Sequence, residues 1–356
     1  MKALLYEPGT RGHRPVFLRY LTHCLTQRGI DYHVWTTGPD KSVPAHSEVD
    51  WLTSIARRED CSHIHVMNFD GKGPVWLRYR SLRRAADTPV IATLCLFNNL
   101  YEFPKCLFWD LLFARNLVNK VAIMDEYLAE RRLPSWRRRR LVYVPDPYDP
   151  NDFLPVEQGF ARGELDVPGD KVVFLMFGEL SSGKGLLTLI DAVRMLPTST
   201  SVCVLLAGRL TDDVKQLGVA EVLDPMVKGG KAILHDHYIE EKDVALYFFA
   251  ADYVVSPYPK WFKVSSGTFT RGCAANRPAI VSDHGMLSEI VRRTGCGLTF
   301  APEDAQSLAD AMQHASRIRS SAQYDEMASR GRAIAGRRTV DQFGDAVIAA
   351  YGELLR

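Results

Sequence analysis

The chain has 356 residues, room for two domains each with its own core, and its 46% apolar and 24% charged content is that of a folded soluble protein rather than a disordered one. No apolar run approaches the ~18–20 residues of a membrane span, the opening Met1-Lys-Ala-Leu-Leu-Tyr-Glu-Pro8 is too short and too soon acidic for a secretory signal, and seven scattered cysteines with no Cys-x-x-Cys argue against a disulfide scaffold or zinc site, so a reducing cytoplasm is expected. The net charge of +2 hides an asymmetry: residues 1–150 carry 22 Lys and Arg against 16 Asp and Glu, with clusters at Arg78, Arg80, Arg83, Arg84 and at Arg137, Arg138, Arg139, Arg140, so this half is expected to face something anionic unless the clusters are merely solvated.

Residues 3–6 read as a first strand, 7–14 as a loop, 15–28 as a helix and 32–36 as a second strand. Strands follow at 64–67, 90–94, 121–124 and 141–144, separated by helical segments, and this alternation predicts a parallel sheet covered on both faces. The segment 100–115 is the most apolar and aromatic part of this half; it reads as a core helix, or, if partly exposed beside the arginines, as a surface for peripheral membrane association. Prolines and turn residues at 146–152, then a polar stretch with three glycines up to 170, place the boundary: a first domain at 1–150, a linker at 151–170 and a second domain at 171–338.

The second half restarts the rhythm, with strand 172–177, loop 178–185, helix 186–195, strand 202–207 and an edge loop carrying Gly208 and Arg209. Strand 233–234, helix 240–251, strand 253–255, strand 279–281 and helices at 286–293, 305–316 and 322–335 follow, and 339–356 is expected as a last helix packing back on the first domain. The fold class is therefore α/β, two doubly wound Rossmann-like domains, with ligands expected at the carboxyl ends of both sheets and so in an interdomain cleft.

Two loops carry the chemistry. After strand 253–255 the chain runs through Lys263 into Ser265-Ser266-Gly267-Thr268 and a small-residue helix bearing Arg271, an arrangement that presents bare amides to a phosphate or, more plainly, an ordinary βαβ turn. After strand 172–177, Gly178-Glu179-Leu-Ser-Ser-Gly183-Lys184-Gly185 sets an ammonium at a helix start. It lacks the Ser/Thr of a Walker loop, which disfavours an NTPase. No Gly-x-Gly-x-x-Gly follows the first strand, which disfavours a nicotinamide enzyme, and the basic residues lack a nucleic-acid recognition motif.

Taken in order, these elements resemble the second domain of the nucleotide-sugar-dependent glycosyltransferases of the GT-B fold, most closely glycosyltransferase family 4. The resemblance runs through Gly178, Lys184 and Gly185, then Gly208, His237-Tyr238-Ile239, Glu241-x-Asp243 before Ala250-Ala-Asp252, the serine-rich loop, Pro278-Ala-Ile-Val-Ser-Asp283, Ser288-Glu289 and Gly297-Leu-Thr-Phe-Ala-Pro302. It implies a hexosyltransferase-type enzyme of glycan biosynthesis whose second domain binds a nucleoside-diphosphate sugar through Gly178, Glu179, Lys184, Gly208, Arg209, Tyr238, Ile239, Lys263, Ser265, Ser266, Gly267, Thr268 and Arg271. The first domain would hold a glycan or small-molecule acceptor, lipid-linked or at the cell surface, with Gly9, Gly12, His13, Arg14 and Cys95 on the acceptor side. Lys184 and Arg271 would stabilise the leaving phosphate and His13 would orient the acceptor or handle its proton; anomeric configuration would be retained, with no cofactor and no metal. The site would then lie in the cytoplasm or at the inner face of the membrane.

Four positions depart from that family. Lys263 and Arg271 stand where two glutamates are usual, Glu179 where an arginine is usual, and Cys95 where many relatives have a histidine. The second of those glutamates normally holds the donor ribose, and an arginine cannot accept its hydroxyl hydrogens. Either Glu179 pairs with Arg271 or takes over the ribose, or the chain is a degenerate homologue that acts as a binding or regulatory partner.

Overall fold

The computed structural model describes residues 1–9, 14–37, 48–70, 88–94, 100–197 and 200–356; Gly12, His13, Cys95, Arg78, Arg80, Arg83 and Arg84 lie outside the described residues. The chain divides into two compact units, Met1–Pro147 with Thr339–Arg356, and Tyr148–Arg338.

In the first unit β1 (Lys2–Tyr6), β2 (Asp31–Trp35), β3 (His63–Val66), β4 (Val90–Leu94), β5 (Lys120–Ile123) and β6 (Leu141–Tyr143) form one parallel sheet in the order β2-β1-β3-β4-β5-β6. The apolar runs of β1 and β4 suit strands covered on both faces, and both are almost wholly buried. β3 instead buries two histidines on one face. The ring nitrogens of His65 meet Tyr351 Oη at 2.6 Å and Thr93 Oγ1 at 2.7 Å, while the His63 ring lies 4.1 Å from that of Tyr351. Tyr351 belongs to the helix Val340–Leu354, which also packs Phe343 on Phe17 and accepts the Cys24 thiol at the Val340 carbonyl (3.3 Å), so the last helix completes the first unit's core. Burial disfavours the charged ring and pushes His63 down to about 4 and His65 to about 3.

In the second unit β7 (Val172–Phe177), β8 (Val202–Ala207), β9 (Ala232–His235), β10 (Tyr253–Ser256), β11 (Ala279–Ser282) and β12 (Gly297–Phe300) are again all parallel, in the order β12-β11-β10-β7-β8-β9. Core lies on both faces of the sheet. One layer packs helices Leu186–Met195, Ala305–Ile318 and Ala322–Ala335, and the other packs Val244–Ala250 with Phe153, Ala161, Leu165 and Val167.

That second layer corrects the expected linker. Residues 151–170 belong to the second unit: they form the helix Gln158–Glu164, and Arg162 pairs with the buried Asp252 at 2.8 Å while Asp252 also takes Arg319 at 2.6 Å and the Val173 amide. A polar, glycine-bearing composition reads as linker because the partner that neutralises Arg162 lies 90 residues away. Between β8 and β9, where only an edge loop was expected, the chain forms helices Asp212–Gln216 and Val219–Lys228; the second tolerates Pro225 and turns Val219, Leu223 and Met226 into the core.

Candidate functional site

In the second unit the strand order reverses between β7 and β10, and the crevice beyond the carboxyl ends of such a pair is where open parallel sheets bind ligands. Both loops singled out from the sequence leave from these two strands.

Gly178 ends β7 and Gly208 ends β8, and the two loops are pressed together. A Cβ on Gly208, whose φ is +137°, would lie 1.8 Å from the Gly178 carbonyl oxygen, and the Leu180 amide bonds the Arg209 carbonyl at 2.9 Å. A Cβ on Gly185 (φ +80°) would likewise lie 1.8 Å from the carbonyl oxygen of Pro257, in the loop after β10. These glycines serve the contact of loop on loop. Their consequence for the site is that the β7 and β10 loops touch.

The contact brings Lys184 to the serine-rich turn. Lys184 closes a short 3₁₀ turn, Ser182–Lys184, before the helix Leu186–Met195, and its ammonium sits 5.7 Å from the centroid of the Tyr258 ring. The Tyr258 hydroxyl is 2.8 Å from Ser266 Oγ, both residues being buried. Ser266 is the N-cap of the helix Gly267–Ala274, yet its hydroxyl, turned to Tyr258, does not cap it. The first-turn amides of that helix therefore keep their donor capacity and partial positive charge, and Tyr258 links this helix start to the Lys184 ammonium.

Arg271, one turn further along, donates to Glu241 Oε1 at 2.6 Å, and the two side chains are about a fifth and a third exposed. This overturns the suggested pairing of Arg271 with Glu179, which is exposed on the β7 loop. The partner comes from the turn Glu241–Asp243, which opens the crossover from β9 back to β10 and stands 30 residues before Arg271, a pairing that sequence spacing cannot show. Glu241 and Tyr258 are the two site residues that sequence reasoning left without a role, although Glu241 stood within a quoted motif and Tyr258 lies in the loop between strand 253–255 and Lys263.

Other expected donor contacts are less drawn in. Arg209 and Lys263 are exposed; the Lys263 carbonyl accepts the Met286 amide at 3.1 Å. Tyr238 is open to solvent, whereas the Ile239 side chain belongs to the core layer with Val244 and Phe248, so only its backbone is left to meet a ligand. Ser265, Gly267 and Thr268 are half-buried at the helix start. Loop 257–263 is held by His284, whose Nε2 donates to the Pro259 carbonyl at 2.9 Å. In the first unit the Gly9 amide donates to the buried Glu7 carboxylate at 2.7 Å with the Arg14 guanidinium close by; Gly12, His13 and Cys95 lie outside the described residues. Among the described residues no three His, Cys, Asp or Glu side chains gather as metal ligands, and no helix is long and apolar enough to cross a membrane.

Residues 171–317 match the family described as Glycosyl transferases group 1. No curated protein matches the chain in sequence. Among solved structures, a sucrose-phosphate synthase from Thermosynechococcus elongatus is similar with a TM-score of 0.77 at 18% identity, covering 99% of this chain and 98% of its own. A glycosyltransferase from Rickettsia africae has a TM-score of 0.76 at 13% identity, covering 100% and 98%. HepE of Anabaena, solved in complex with UDP-glucose, has a TM-score of 0.72 at 19% identity, covering 99% and 100%. Identities this low speak for the fold, two parallel six-stranded sheets flanked by helices, which is the GT-B architecture.

Proposed function

We propose, from the match of residues 171–317 to the glycosyl transferases group 1 family and the GT-B fold around them, that the chain moves a sugar from a nucleoside-diphosphate donor, held by the second unit, to an acceptor. The observation that carries this reading is the convergence of the Lys184 ammonium, the Tyr258–Ser266 pair and the uncapped start of the Gly267–Ala274 helix at the switch point of the sheet. In the transfer, the bond from the anomeric carbon to the diphosphate oxygen breaks and one to the acceptor oxygen forms. Charge grows on the departing diphosphate, where a fixed ammonium and helix amides bind it more strongly than they bind the intact donor. The diphosphate then takes the acceptor proton.

The finer parts of the proposal rest on the ordered motifs: membership of family 4, retention of configuration, no metal or cofactor, and His13 serving the acceptor. The acceptor is proposed to be a glycan, lipid-linked or at the cell surface, reached from the cytoplasmic side with the first unit peripherally on the membrane. Arg271 is proposed to act through its pair with Glu241, which restores a carboxylate beside the helix where the family's glutamate is missing.

The test is release of nucleoside diphosphate from a panel of nucleotide sugars, beginning with UDP-glucose because HepE binds it. Turnover by the wild-type chain that falls roughly 10–1,000-fold in Lys184→Ala supports the assignment. Donor binding without turnover across an acceptor panel would favour the degenerate homologue, and full activity in Lys184→Ala would remove the lysine from the site.

A further inference from the structure

We propose that the first unit docks on an anionic phospholipid bilayer through the outer face of the helix Cys106–Ala114 and the basic cavity beside it. This deepens the membrane association proposed above by assigning its surface and its lipid. The helix has two apolar faces. Cys106, Trp109, Leu112 and Phe113 are buried in the unit, while Leu107 (52% exposed) and Leu111 (39%) stand one turn apart on the solvent side. Phe103, just ahead of the helix, is 80% exposed, and Trp136 is 42% exposed. Trp136 is fastened to this region from outside the helix, because the buried Arg137 grips Asp110 with two bonds of 2.8 and 2.5 Å. Four large apolar side chains thus face water around one structural element, where a globular surface usually scatters them singly.

The surroundings supply the charge. A cavity of about 970 Å³ opens between this helix and the arginine run, with Phe113, Leu141 and Trp136 among its apolar walls and Arg138, Arg139 and Arg140 among its cations. Of the nearby acids, Glu102 pairs with Lys105, Asp110 with Arg137 and Glu353 with Lys120. Arg115, Arg132 and Arg139 have side chains exposed and without an ion-pair partner among the described residues. Arg138 is oriented by the Ala129 and Arg131 carbonyls. An apolar stripe rimmed by unspent guanidinium groups matches the acyl boundary and phosphates of an anionic leaflet, and not a neutral protein partner. Lys120 and Leu141 begin β5 and β6, so the cavity lies at the amino ends of the strands, and docking leaves the carboxyl ends of this sheet open.

The test is co-sedimentation of the full chain with phosphatidylcholine vesicles that contain or lack phosphatidylglycerol. The wild type is expected to bind the anionic vesicles, to release them as salt is raised and to ignore pure phosphatidylcholine. Leu107→Ser with Leu111→Ser, and separately Arg115→Glu with Arg139→Glu, should each weaken binding by roughly tenfold or more. All four positions are exposed, and unaltered melting of each variant shows that the fold is kept. Anionic binding that neither pair weakens would overturn the assigned surface while leaving membrane association standing; no binding to any vesicle would overturn both. Equal binding to neutral vesicles would overturn the choice of lipid.

Discussion

Acidification should destabilise the first unit through His63 and His65, and the size of the effect follows from their burial. An ordinary histidine takes up its proton near 6.5, but in the folded unit His63 does so at about 4 and His65 at about 3. Above 6.5 both states are neutral and the pair contributes no pH dependence. As pH falls below 6.5 the unfolded chain binds two protons that the folded one refuses, so stability declines until the folded values are reached. At about pH 5 each site has cost about 2 kcal/mol, together about 4 kcal/mol, a large share of a typical domain's ~5–15 kcal/mol. At pH 5, above both folded values, the folded rings are still neutral, so the cost is set by proton uptake in the unfolded chain. Urea unfolding followed between about pH 7 and pH 5 should therefore show a slope approaching ~2.7 kcal/mol per pH unit, that of two protons, in the transition of the first unit. His65→Gln keeps a polar group between Tyr351 and Thr93 and should halve that slope. A slope that is the same in His65→Gln, or a first-unit transition indifferent to pH over this range, would refute the reasoning.

Two further changes probe the second unit. Arg271→Ala should lower transfer roughly 10–1,000-fold if the guanidinium assists the leaving phosphate, and Arg271→Glu, set against Glu241, should lower it further; improved use of a common nucleotide sugar by the glutamate variant would show instead that the arginine is a mere departure from the family pattern. Gly208→Ala forces a Cβ into the Gly178 carbonyl at a φ that alanine resists, and should lower stability by about 2 kcal/mol or more, seen as a fall in melting temperature of several degrees. A variant that melts with the wild type would show that the two loops need no such contact.

Much of the fold was legible because parallel strands covered on both faces need unbroken apolar runs, and runs such as Val172–Phe177 and Val202–Ala207 have no other use. The loops after β7 and β10 were legible as loops as well, since glycine and serine stand out between a strand and a helix. What stayed hidden depends on partners distant in the chain. Arg162 reads as solvated until Asp252 is folded against it, and Arg271 gives no sign that its carboxylate is Glu241 rather than Glu179. Pro225 stands inside the helix Val219–Lys228, where a proline usually breaks the ladder, and the apolar positions on that helix's inner side absorb the missing donor. The 100–115 segment looked like a choice between core and membrane surface; the Cys106–Ala114 helix buries Cys106, Trp109, Leu112 and Phe113 and leaves Leu107 and Leu111 exposed.

The return of Val340–Leu354 to the first unit has a consequence for biosynthesis. Tyr351, completely enclosed between β3 and its neighbours, is made only after every residue of Tyr148–Arg338 has been translated. The half of the protein that leaves the ribosome first is thus the last to be closed, and until then His63 and His65 stand in a nascent body lacking its outer wall. The later half has all its strands in hand by Phe300, so it is the one placed to mature first.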